Sequence, residues 1–331
     1  MEYYEDLDES PRSSHRIKTR KRAKIQAMLR PIKATNQTQQ MIVQNDSRQT
    51  FQFTYRPSRH EEGWLLESLG YFYEHQWIKD VLRVVKGGKE ATIYQCIGGP
   101  AAEGKPLAAK VYRPRQFRNL KNDQVYRLGR EDLDESGKRI FEDGMLKAIH
   151  NRSIYGESLR HQSWIAYEYW TIDELYKAGA DVPRPYDMGH NAILMEYIGE
   201  GVLAAPTLNS IDLEPWEARE LLERVLRNIE VLLSHNRIHG DLSAFNILYW
   251  DGKITLIDFP QVIDPVNHPL AYRLFRRDVQ RVCEYFAGQG VDCNPKQIAE
   301  TLWLKYGHKI VLEAQPKSPE EVDARNLKNQ R

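Results

Sequence analysis

The stretch of residues 239–261, HGDLSAFNILYWDGKITLIDFPQ, places oxygen-bearing side chains around a tight hairpin. Two apolar segments flank Asp251 and Gly252, a pair typical of a type I′ hairpin turn. Asn246 begins the first predicted strand and Asp258 follows the second, so both side chains are expected at the open end of the hairpin. An amide oxygen and a carboxylate at one point are ligands suited to Mg²⁺.

A further carboxylate, that of Asp241, lies five residues before Asn246 and can reach a substrate hydroxyl from the same loop. Phosphoryl transfer needs this division of labour, in which metal ions hold the phosphates and a carboxylate orients the nucleophile. A loop with turn-forming Asp and Asn explains each residue singly. Such a loop does not explain why Asp241, Asn246 and Asp258 occur in one chain with a lysine and a glutamate that are predicted to be buried, Lys110 and Glu168.

That lysine is Lys110, which stands inside the apolar strand LAAKVY. A buried ammonium group needs an acidic partner because an unpaired buried charge is costly. In the next predicted helix, Glu168 falls on the same stripe as Ile165 and Ile172, three residues after one and four before the other. The pattern indicates an ion pair between Lys110 and Glu168, which could be purely structural or part of a site.

The segment KGGKEATIY contains two glycines between strand-like runs. Glycine lets a backbone turn sharply and approach a ligand closely, and the backbone N–H groups of such a turn can bind phosphate. Gly88, Lys89, Glu90 and Ala91 are therefore candidates for a phosphate loop. A simple Gly-Gly hairpin explains these residues equally well when they are considered alone.

The composition excludes several classes of protein. Of 331 residues 41% are apolar, which is enough for a core, and 47 basic residues nearly balance 46 acidic ones. Any nucleic-acid contact must then come from a local basic patch. Three widely spaced cysteines without a Cys-x-x-Cys pair argue against a zinc site or a disulfide framework. Without a signal-peptide core or a long apolar stretch, we expect a soluble cytoplasmic protein with no membrane partner.

Residues 1–55 differ in composition from the rest of the chain. An acidic beginning is followed by a basic arm, Arg16 to Lys24, and by the polar stretch ATNQTQQMIVQND. Such a composition cannot fill a core, so a disordered tail is expected. The basic arm is either a solvated tail or a segment that binds RNA. Residues 313–331 are polar and are expected to form a second tail.

Between the tails, residues 56–312 are predicted to form one domain of two lobes. Strands are predicted at 91–97, 107–112 and 192–198, and helices at about 163–178, 215–236, 269–287 and 295–305, with an irregular charged segment at 113–160. This order predicts an α+β fold. A small β-rich N-lobe at about 63–198 and a reduced helical C-lobe at about 199–312 would enclose a cleft.

The motifs in this order resemble those of the protein-kinase-like superfamily, in which Asp-x-x-x-x-Asn precedes a hairpin and Ile-Asp-Phe. In more detail, GKEATIY, HGDLSAFNILY and LIDFPQV resemble the RIO family of atypical serine kinases, over about residues 70–290. The phosphate loop of that family reads Ser-Thr-Gly-Lys-Glu-Ala. Its last four positions match Gly88 to Ala91, whereas the preceding Ser-Thr is absent. The resemblance implies a two-lobed protein-kinase-like fold.

The resemblance also implies ATP and Mg²⁺ as cofactors, with Mn²⁺ as an alternative metal, and a role for each candidate residue. It assigns ATP binding to Gly88, Lys89, Glu90 and Ala91, to Lys110 with its partner Glu168, and to the hinge residues Met195, Glu196 and Ile198. It assigns catalysis to Asp241, and metal binding to Asn246 and Asp258. It further implies that Asp258 can itself accept the γ-phosphoryl group as an aspartyl-phosphate.

Departures from ordinary protein kinases support the same resemblance. Gly240 stands where an arginine usually precedes the catalytic aspartate, so that position cannot bind a phosphorylated activation loop. No Ala-Pro-Glu motif follows Asp258, and the usual activation loop and peptide-docking helices are expected to be missing. The N-terminal part is too short and too polar for a winged-helix domain, which favours the branch of the family without one.

These features predict ATP- and Mg-dependent phosphoryl transfer to serine or threonine, on this chain or on a protein substrate, ATPase activity, or both. The RIO resemblance links such activity to maturation of the small ribosomal subunit. One alternative is a small-molecule phosphotransferase of the aminoglycoside or choline kinase type, which usually lacks Gly-Lys-Glu-Ala and Asp-Phe-Pro-Gln. Another is a nucleotide-switched assembly factor that contacts RNA or a ribosomal particle through the basic arm.

Overall fold

The computed structural model describes residues 51–113 and 123–308. Its strands are β1 (Gln52–Phe53), β2 (Ile78–Gly87), β3 (Ala91–Gly98), β4 (Pro106–Tyr112), β5 (Pro185–Met188), β6 (Ala192–Glu196), β7 (Gly199–Glu200), β8 (Leu203–Ala204), β9 (Ile247–Trp250) and β10 (Lys253–Leu256). Its helices are α1 (Arg59–Glu74), α2 (Asp123–Arg127), α3 (Asp143–His150), α4 (Ile154–Lys177), α5 (Pro215–Ser234), α6 (Ala271–Gly288) and α7 (Pro295–Lys305).

The first lobe is a six-stranded sheet in the order β1-β2-β3-β4-β6-β5. Strand β1 runs parallel to β2, and the other neighbours are antiparallel. Because side chains alternate between the two faces of a strand, β4 serves both faces. Its residues Leu107 and Ala109 belong to a core shared with α1, and Tyr112 belongs to a second core shared with α4. Lys110 therefore faces α4.

The ordered part of this lobe begins earlier than the sequence indicated. Residues 51–55 were assigned to the disordered tail, but Phe51 and Phe53 are buried in the core beside α1. The backbone of residues 52–53 pairs with β2, and the N–H of Tyr55 donates to the carbonyl of Val81 at 2.8 Å. Two aromatic side chains in this position bury enough apolar surface to fix the segment.

Helix α4 also begins earlier than predicted, at Ile154 rather than near residue 163. The side chain of Ser153 caps the helix by accepting a hydrogen bond from the N–H of Gly156 at 3.0 Å. Gly156 is required there, because a Cβ would lie 1.8 Å from the carbonyl oxygen of Ala148 in α3. The segment predicted to be irregular thus contains α3, a sharp turn and the first two turns of α4.

The core between the sheet and α4 meets the core of the second lobe along α4. Trp164 and Ile165 of this helix pack against the sheet, whereas Ile172 and Leu175 pack in the core of the second lobe. The division at residue 198 inferred from the sequence is therefore too simple. A single helix contributes to both cores, and Glu168 lies at the changeover between them.

The second lobe is helical apart from the β9–β10 hairpin. Pro215 occupies the first turn of α5, and the helix buries an apolar stripe that includes Leu221, Val225 and Leu232. In the hairpin, Asp251 and Gly252 have φ values of 50° and 71°, as a type I′ turn requires. Trp250 pairs with Lys253, so the predicted hairpin and its register are confirmed.

Several expectations concern residues outside those described, namely the basic arm, the beginning of the N-terminal tail and the C-terminal tail at 313–331. Within residues 51–113 and 123–308, none of the helices combines the length and the hydrophobicity that a membrane crossing demands.

Candidate active site

Lys110 connects three elements of the fold. Its Nζ lies 2.6 Å from Oε1 of Glu168 in α4 and 2.7 Å from Oδ1 of Asp258 after β10. The Lys110 and Glu168 side chains are 9% and 1% exposed, whereas the Asp258 side chain is 47% exposed. The predicted contact between Lys110 and Glu168 is confirmed, and Asp258 joins it from the other lobe on the open side.

Lys110 and Asp258 stabilise each other in their charged forms. Burial alone would lower the pKa of Lys110, but the carboxylates of Asp258 and Glu168 outweigh burial and raise it. Burial opposes ionisation of Asp258, yet the ammonium of Lys110 holds the pKa of that carboxyl below its usual value. The hydroxyl of Tyr112 donates to Oε2 of Glu168 at 2.5 Å. Each oxygen of Glu168 thus has a hydrogen-bond donor, as a buried carboxylate requires.

The backbone brings Asn246 and Asp258 to the same end of the hairpin, as predicted. The N–H of Ile257 donates to the carbonyl of Asn246 at 3.0 Å, which extends the ladder one step beyond the strands. Asp258 then takes φ of 72°, a left-handed conformation that is rare for a residue other than glycine. This sharp change of direction coincides with the contact between the Asp258 carboxylate and Lys110.

The amide of Asn246 is oriented by the loop that precedes it. Its Nδ2 donates to the carbonyl of Asp241 at 2.8 Å and lies 3.3 Å from the Asp241 carboxylate. Within the described residues, Oδ1 of Asn246 and Oδ2 of Asp258 accept no hydrogen bond. The two oxygens left over are the kinds of atom that Mg²⁺ prefers. The donor set therefore fits the metal that the resemblance implies.

The described residues contain no cluster of three or more His, Cys, Asp or Glu side chains arranged to hold a metal ion. An ion at this point would draw on one amide, one carboxylate and oxygens from outside the protein. Mg²⁺ is commonly bound in this way, by one or two carboxylates together with substrate phosphates and water.

Helix α6 holds the loop that carries Asp241. The N–H of Gly240 donates to Oδ2 of the buried Asp278 at 2.8 Å, and the guanidinium of Arg277 donates to the carbonyl of Gly240. Nη1 of Arg281 lies 2.8 Å from Oδ1 of Asp241. Three side chains on one helix thus bind the N–H and the carbonyl of Gly240 and the carboxylate of the residue that follows it.

The sequence motifs do not include Asp278, Arg277 or Arg281, although the sequence carries a signal for Asp278. Asp278 lies between Phe275 and Val279 on the apolar face of a helix that was predicted at about residues 269–287. This is the pattern that identified Glu168. No comparable signal marks Arg277 or Arg281, because charged residues on a helix are usually solvated.

The structure gives a physical reason for glycine at position 240. Gly240 has φ of +79°, and a Cβ there would lie 2.3 Å from the carbonyl oxygen of Gln261. The loop therefore packs against the segment that follows Asp258 too closely for any side chain at this position. An arginine at residue 240 could not be accommodated without moving one of the two segments.

His239 is buried at the start of the same loop and is structural. Burial lowers the pKa of its imidazole, which favours the neutral form. The N–H of Asp241 lies 3.3 Å from its Nδ1, which therefore accepts, and Nε2 then donates to the carbonyl of Ile257 at 3.1 Å. His239 thus ties the loop that carries Asp241 to the residue before Asp258.

The candidate phosphate loop connects β2 and β3 through residues 88–90. The N–H of Gly88 donates to the carbonyl of Ala91 at 2.9 Å, and the carbonyl of Glu90 accepts from the N–H of Arg113 at 2.8 Å. A Cβ at Gly88 would lie 2.9 Å from the Ala91 carbonyl, so glycine suits this turn. Lys86, just before the loop, contributes to the lowered pKa of Asp258. Lys89 is exposed at the tip.

The predicted hinge consists of Met195 and Glu196 at the end of β6 and Ile198 just after it. Met195 is buried opposite Ala108 of β4. The N–H of Glu196 donates to the carbonyl of Arg184 at 2.8 Å. The carbonyl of Ile198 accepts from Ala205 at 2.9 Å, whereas its N–H has no partner among the described residues. The backbone N–H of Ile198 is therefore available as a hydrogen-bond donor at the predicted hinge.

Comparison with known families matches residues 92–298 of this chain to the model of the RIO domain. The match covers more than half of the chain and includes every candidate site residue except Gly88, Lys89, Glu90 and Ala91. Among curated proteins, the RIO-type serine/threonine-protein kinase Rio1 of Haloferax volcanii is 28% identical over 219 residues, 65% of this chain and 66% of that protein. The serine/threonine-protein kinase RIO1 of Homo sapiens is 26% identical over 215 residues, 65% of this chain and 34% of that protein.

The chain thus spans between about a third and two thirds of the length of these relatives. Among solved structures, the crystal structure of the Rio2 kinase from Chaetomium thermophilum aligns with a TM-score of 0.49 and 21% identity, covering 96% of this chain and 89% of that one.

Proposed function

The chain belongs to the RIO domain family, and from that premise we propose that it transfers the γ-phosphoryl group of ATP to a serine or threonine hydroxyl. The observation that carries the proposal is the position of Lys110, whose ammonium lies between Glu168 and Asp258. A lysine fixed in this way on a central strand can reach ATP phosphates on the open side of the site. The names of the relatives supply the class of acceptor.

In this proposal each of the other candidate residues binds a different part of ATP or the acceptor hydroxyl. The N–H of Ile198 binds the adenine base, and the backbone of residues 88–90 closes over the phosphates. Lys110 neutralises phosphate charge while Glu168 holds it in place. Asp241, which Arg281 fixes from α6, orients the acceptor hydroxyl and takes its proton.

Asn246 and Asp258 would hold Mg²⁺, which when bound neutralises charge on the phosphates and positions them for in-line transfer. Two features of the chain support this assignment. Asn246 is turned so that its amide nitrogen is used within the loop and its oxygen is not. Lys110 holds the pKa of Asp258 below its usual value, which favours the charged carboxylate that a cation requires.

A second acceptor is available within the site, the carboxylate of Asp258. An Asp258 oxygen would form a bond to the γ-phosphorus while the bond from that phosphorus to the bridging oxygen of ADP breaks, and ADP leaves with the electron pair. The product is an aspartyl-phosphate, a known class of covalent intermediate. In support of this alternative, Oδ2 of Asp258 is not engaged by Lys110, which uses Oδ1.

Incubation of the full chain with γ-labelled ATP and Mg²⁺, followed by analysis of the label, tests both acceptors. Label that survives hydroxylamine and acid and is recovered as phosphoserine or phosphothreonine supports transfer to a hydroxyl. Label that hydroxylamine removes, and that the Asp258→Asn variant does not acquire, supports the aspartyl-phosphate. Release of labelled inorganic phosphate without labelled protein indicates ATPase activity. If neither label nor phosphate appears, while added aminoglycoside or choline becomes labelled, the small-molecule phosphotransferase is the better assignment.

For the basic arm at residues 16–24 we propose a role in binding RNA, since clustered Lys and Arg neutralise phosphates and release counterions. The arm lies outside the described residues, so its charge alone supports this proposal. Deletion of residues 1–50 is expected to weaken RNA binding and to flatten its dependence on salt. An unchanged salt slope would show that the arm is only a solvated tail. A role in maturation of the small ribosomal subunit would build on such binding.

A further inference from the structure

A small hairpin follows the predicted hinge. Strands β7 and β8 pair with each other, and we refer to residues 199–204 as the hinge hairpin. Gly199 has φ of 141°, and a Cβ there would lie 2.1 Å from the carbonyl oxygen of Leu203, so the chain needs glycine where it enters the hairpin. The tip lies on the surface, where Val202 is 63% exposed. A two-stranded hairpin of this size is not stable by itself and needs contacts from outside.

Two side chains of the sheet supply such contacts to the tip. Nη2 of Arg83 in β2 donates to the carbonyl of Val202 at 2.5 Å, and Nε2 of the buried Gln95 in β3 donates to the carbonyl of Gly201 at 2.6 Å. The two side chains also bind each other, because Nε of Arg83 donates to Oε1 of Gln95 at 2.8 Å. Among the hydrogen bonds of the described residues, those from Arg83 and Gln95 join the tip of the hinge hairpin to the sheet.

Arg83 also binds the hinge itself. Its Nη2 donates to the hydroxyl of Tyr197 at 2.9 Å, and the Tyr197 side chain is buried between the neighbouring hinge residues Glu196 and Ile198 in the sequence. One guanidinium group therefore has acceptors on the sheet, on the hinge and on the hinge hairpin. The planar fork of N–H donors in arginine suits this position better than the ammonium of lysine.

Arg83 and Gln95 lie on the face of the sheet that carries Lys110. Across the strands, Arg83 pairs with Gln95, and Gln95 pairs with Ala108. Side chains of directly opposed residues lie on the same face of a sheet. Ala108 is two residues before Lys110 in β4, so these two also share a face. The row of side chains that holds the hinge hairpin is therefore next to the row that contains the lysine proposed to bind phosphate.

The free donor of the hinge lies between the two points that Arg83 holds. Ile198 follows Tyr197 and precedes the hinge hairpin, and its N–H has no partner among the described residues. Beyond the hairpin, the carbonyl of Pro206 accepts from the N–H of Tyr249 at 2.9 Å, which attaches the chain to β9. The backbone around Ile198 is thus held from the sheet on one side and from the second lobe on the other.

We propose that Arg83 and Gln95 are positioning residues for the nucleotide base, because they hold Tyr197 and the hinge hairpin so that the N–H of Ile198 meets the base. This inference rests on the proposed function, which assigns that N–H to ATP. A donor that is no longer held in place forms a weaker bond, since hydrogen bonds weaken steeply as their angle departs from linearity. Loss of either side chain should therefore weaken binding of the base and leave binding of the phosphates unchanged.

Hydrogen–deuterium exchange of the full chain without nucleotide tests the first step, the attachment of the hairpin. In Arg83→Met and in Gln95→Met, the amides of residues 197–204 should exchange at least about threefold faster than in the wild type. Lys79→Met removes a charge from an exposed position on β2 and is the matched control, which should exchange as the wild type does. Unchanged exchange in both variants would overturn the proposal, whether or not the protein is a kinase.

Calorimetric titration with MgATP and with magnesium tripolyphosphate, which has no base, tests the second step. The Kd for MgATP should rise by roughly fivefold in each variant, whereas the Kd for tripolyphosphate should change by less than about twofold. At saturating MgATP kcat should also change by less than about twofold, so that the loss appears in KM. Arg83→Lys should recover part of the affinity for MgATP, because an ammonium reaches one of the acceptors but lacks the fork.

Three results would contradict the proposal, and they differ in what else they overturn. Equal losses for MgATP and tripolyphosphate would show that the variants do not act on the base. Equal affinity of the wild type and both variants for MgATP would show that the hinge hairpin does not set the position of the base. A wild type that binds no MgATP would overturn the proposed function together with this inference. If circular dichroism shows that one variant is unfolded, the other decides alone.

Discussion

Lys110 is the residue on which the candidate site most depends, because it meets carboxylates from two different elements. Lys110→Ala removes the cation between Glu168 and Asp258 and the group proposed to bind phosphate. We expect the rate of phosphoryl transfer to fall by roughly a hundredfold or more. The free energy of unfolding should fall by about 3 kcal/mol, because a buried carboxylate loses its partner. Tyr112 still donates to Glu168, so the variant should remain folded.

The measurements are single-turnover transfer of label from γ-labelled ATP and urea denaturation followed by circular dichroism. Lys79→Ala is a matched control, since Lys79 is exposed on β2 of the same lobe. The control should retain the activity and stability of the wild type. Normal turnover in a folded Lys110→Ala protein would contradict the assignment of Lys110.

Arg281 is expected to act through Asp241 rather than on ATP. Its guanidinium lies on the Asp241 carboxylate, and both side chains are about 40% exposed (40% and 38%). Arg281→Met should therefore lower kcat by roughly tenfold, a part of what an acid–base group contributes. The Kd for MgATP should change by less than twofold. Stability should change little, since half-exposed ion pairs contribute at most about 1 kcal/mol.

Arg281→Lys should recover part of kcat, because an ammonium can still reach the carboxylate although it lacks the rigid fork. Arg276→Met, an exposed position on the same helix, is the control and should behave as the wild type. Equal losses of kcat in the Arg276 and Arg281 variants would show that the effect belongs to the helix and not to the contact with Asp241.

Helix α6 supports the loop that carries Asp241, and the titration of its residue Asp278 makes the stability of the protein depend on pH. Burial raises the pKa of Asp278 to about 7, although Arg277 opposes the shift. An unfolded aspartate titrates near 3.9. Between these values the folded chain binds a proton that the unfolded chain has lost. The contribution of Asp278 is therefore greatest below about pH 4 and decreases as the pH rises towards 7.

The test compares the wild type with Asp278→Asn, which keeps an acceptor for Gly240 but cannot titrate. The difference in free energy of unfolding between the two proteins, from urea denaturation, should shift by about 1–3 kcal/mol in favour of the Asn variant from pH 5 to pH 7. Taking this difference removes the effect of His239, whose lowered pKa makes stability fall on acidification. A difference independent of pH would contradict the raised pKa.

The elements that the sequence identified are those with local signals. The hairpin follows from Asp251 and Gly252, and the long helix α5 follows from its apolar period and Pro215. The Lys110–Glu168 contact was accessible because a charge inside an apolar pattern needs a partner. The contact of Lys110 with Asp258 joins residues 148 positions apart, and no local pattern predicts it.

Three features of the structure are not predicted by local sequence patterns. The sequence of the first turns of α4 suggests irregular structure because charged residues interrupt the helical spacing of apolar residues. Ser153 is nevertheless a suitable N-cap. The sequence predicts that residues 51–55 belong to the tail because their neighbours are polar. In the structure Phe51 and Phe53 pack in a core formed mainly by α1 and the sheet. The hydrogen bonds from α6 to Gly240 depend on tertiary packing, which local sequence patterns do not predict.

At the scale of the molecule, two cores are joined through α4 and through the candidate site. Helix α4 contributes to both cores, and Lys110 of the sheet contacts Asp258 of the second lobe. A ligand that binds between the hinge, the phosphate loop and Asp258 therefore contacts both lobes. Such a ligand stabilises the folded chain as a whole, since it binds only when both parts are in place.

We therefore expect MgATP to raise the melting temperature of the full chain. At a ligand concentration of about a hundred times Kd, binding contributes about 2.7 kcal/mol. For a protein of this size that corresponds to an increase of roughly 5–10 °C. ATP in EDTA should give a smaller increase, because the oxygens of Asn246 and Asp258 then hold no ion. Differential scanning fluorimetry over a range of nucleotide concentrations gives both values.

The variant that separates metal binding from nucleotide binding is Asp258→Asn. It removes the carboxylate charge proposed to hold Mg²⁺ but leaves the hinge and the phosphate loop intact. Its melting temperature should respond equally to ATP with and without Mg²⁺. Asp292→Asn, at an exposed position before α7, should keep the wild-type difference between the two conditions. A wild type that MgATP does not stabilise, or an Asp258→Asn variant that retains the full Mg²⁺-dependent increase, would show that the open end of the hairpin is not the metal site.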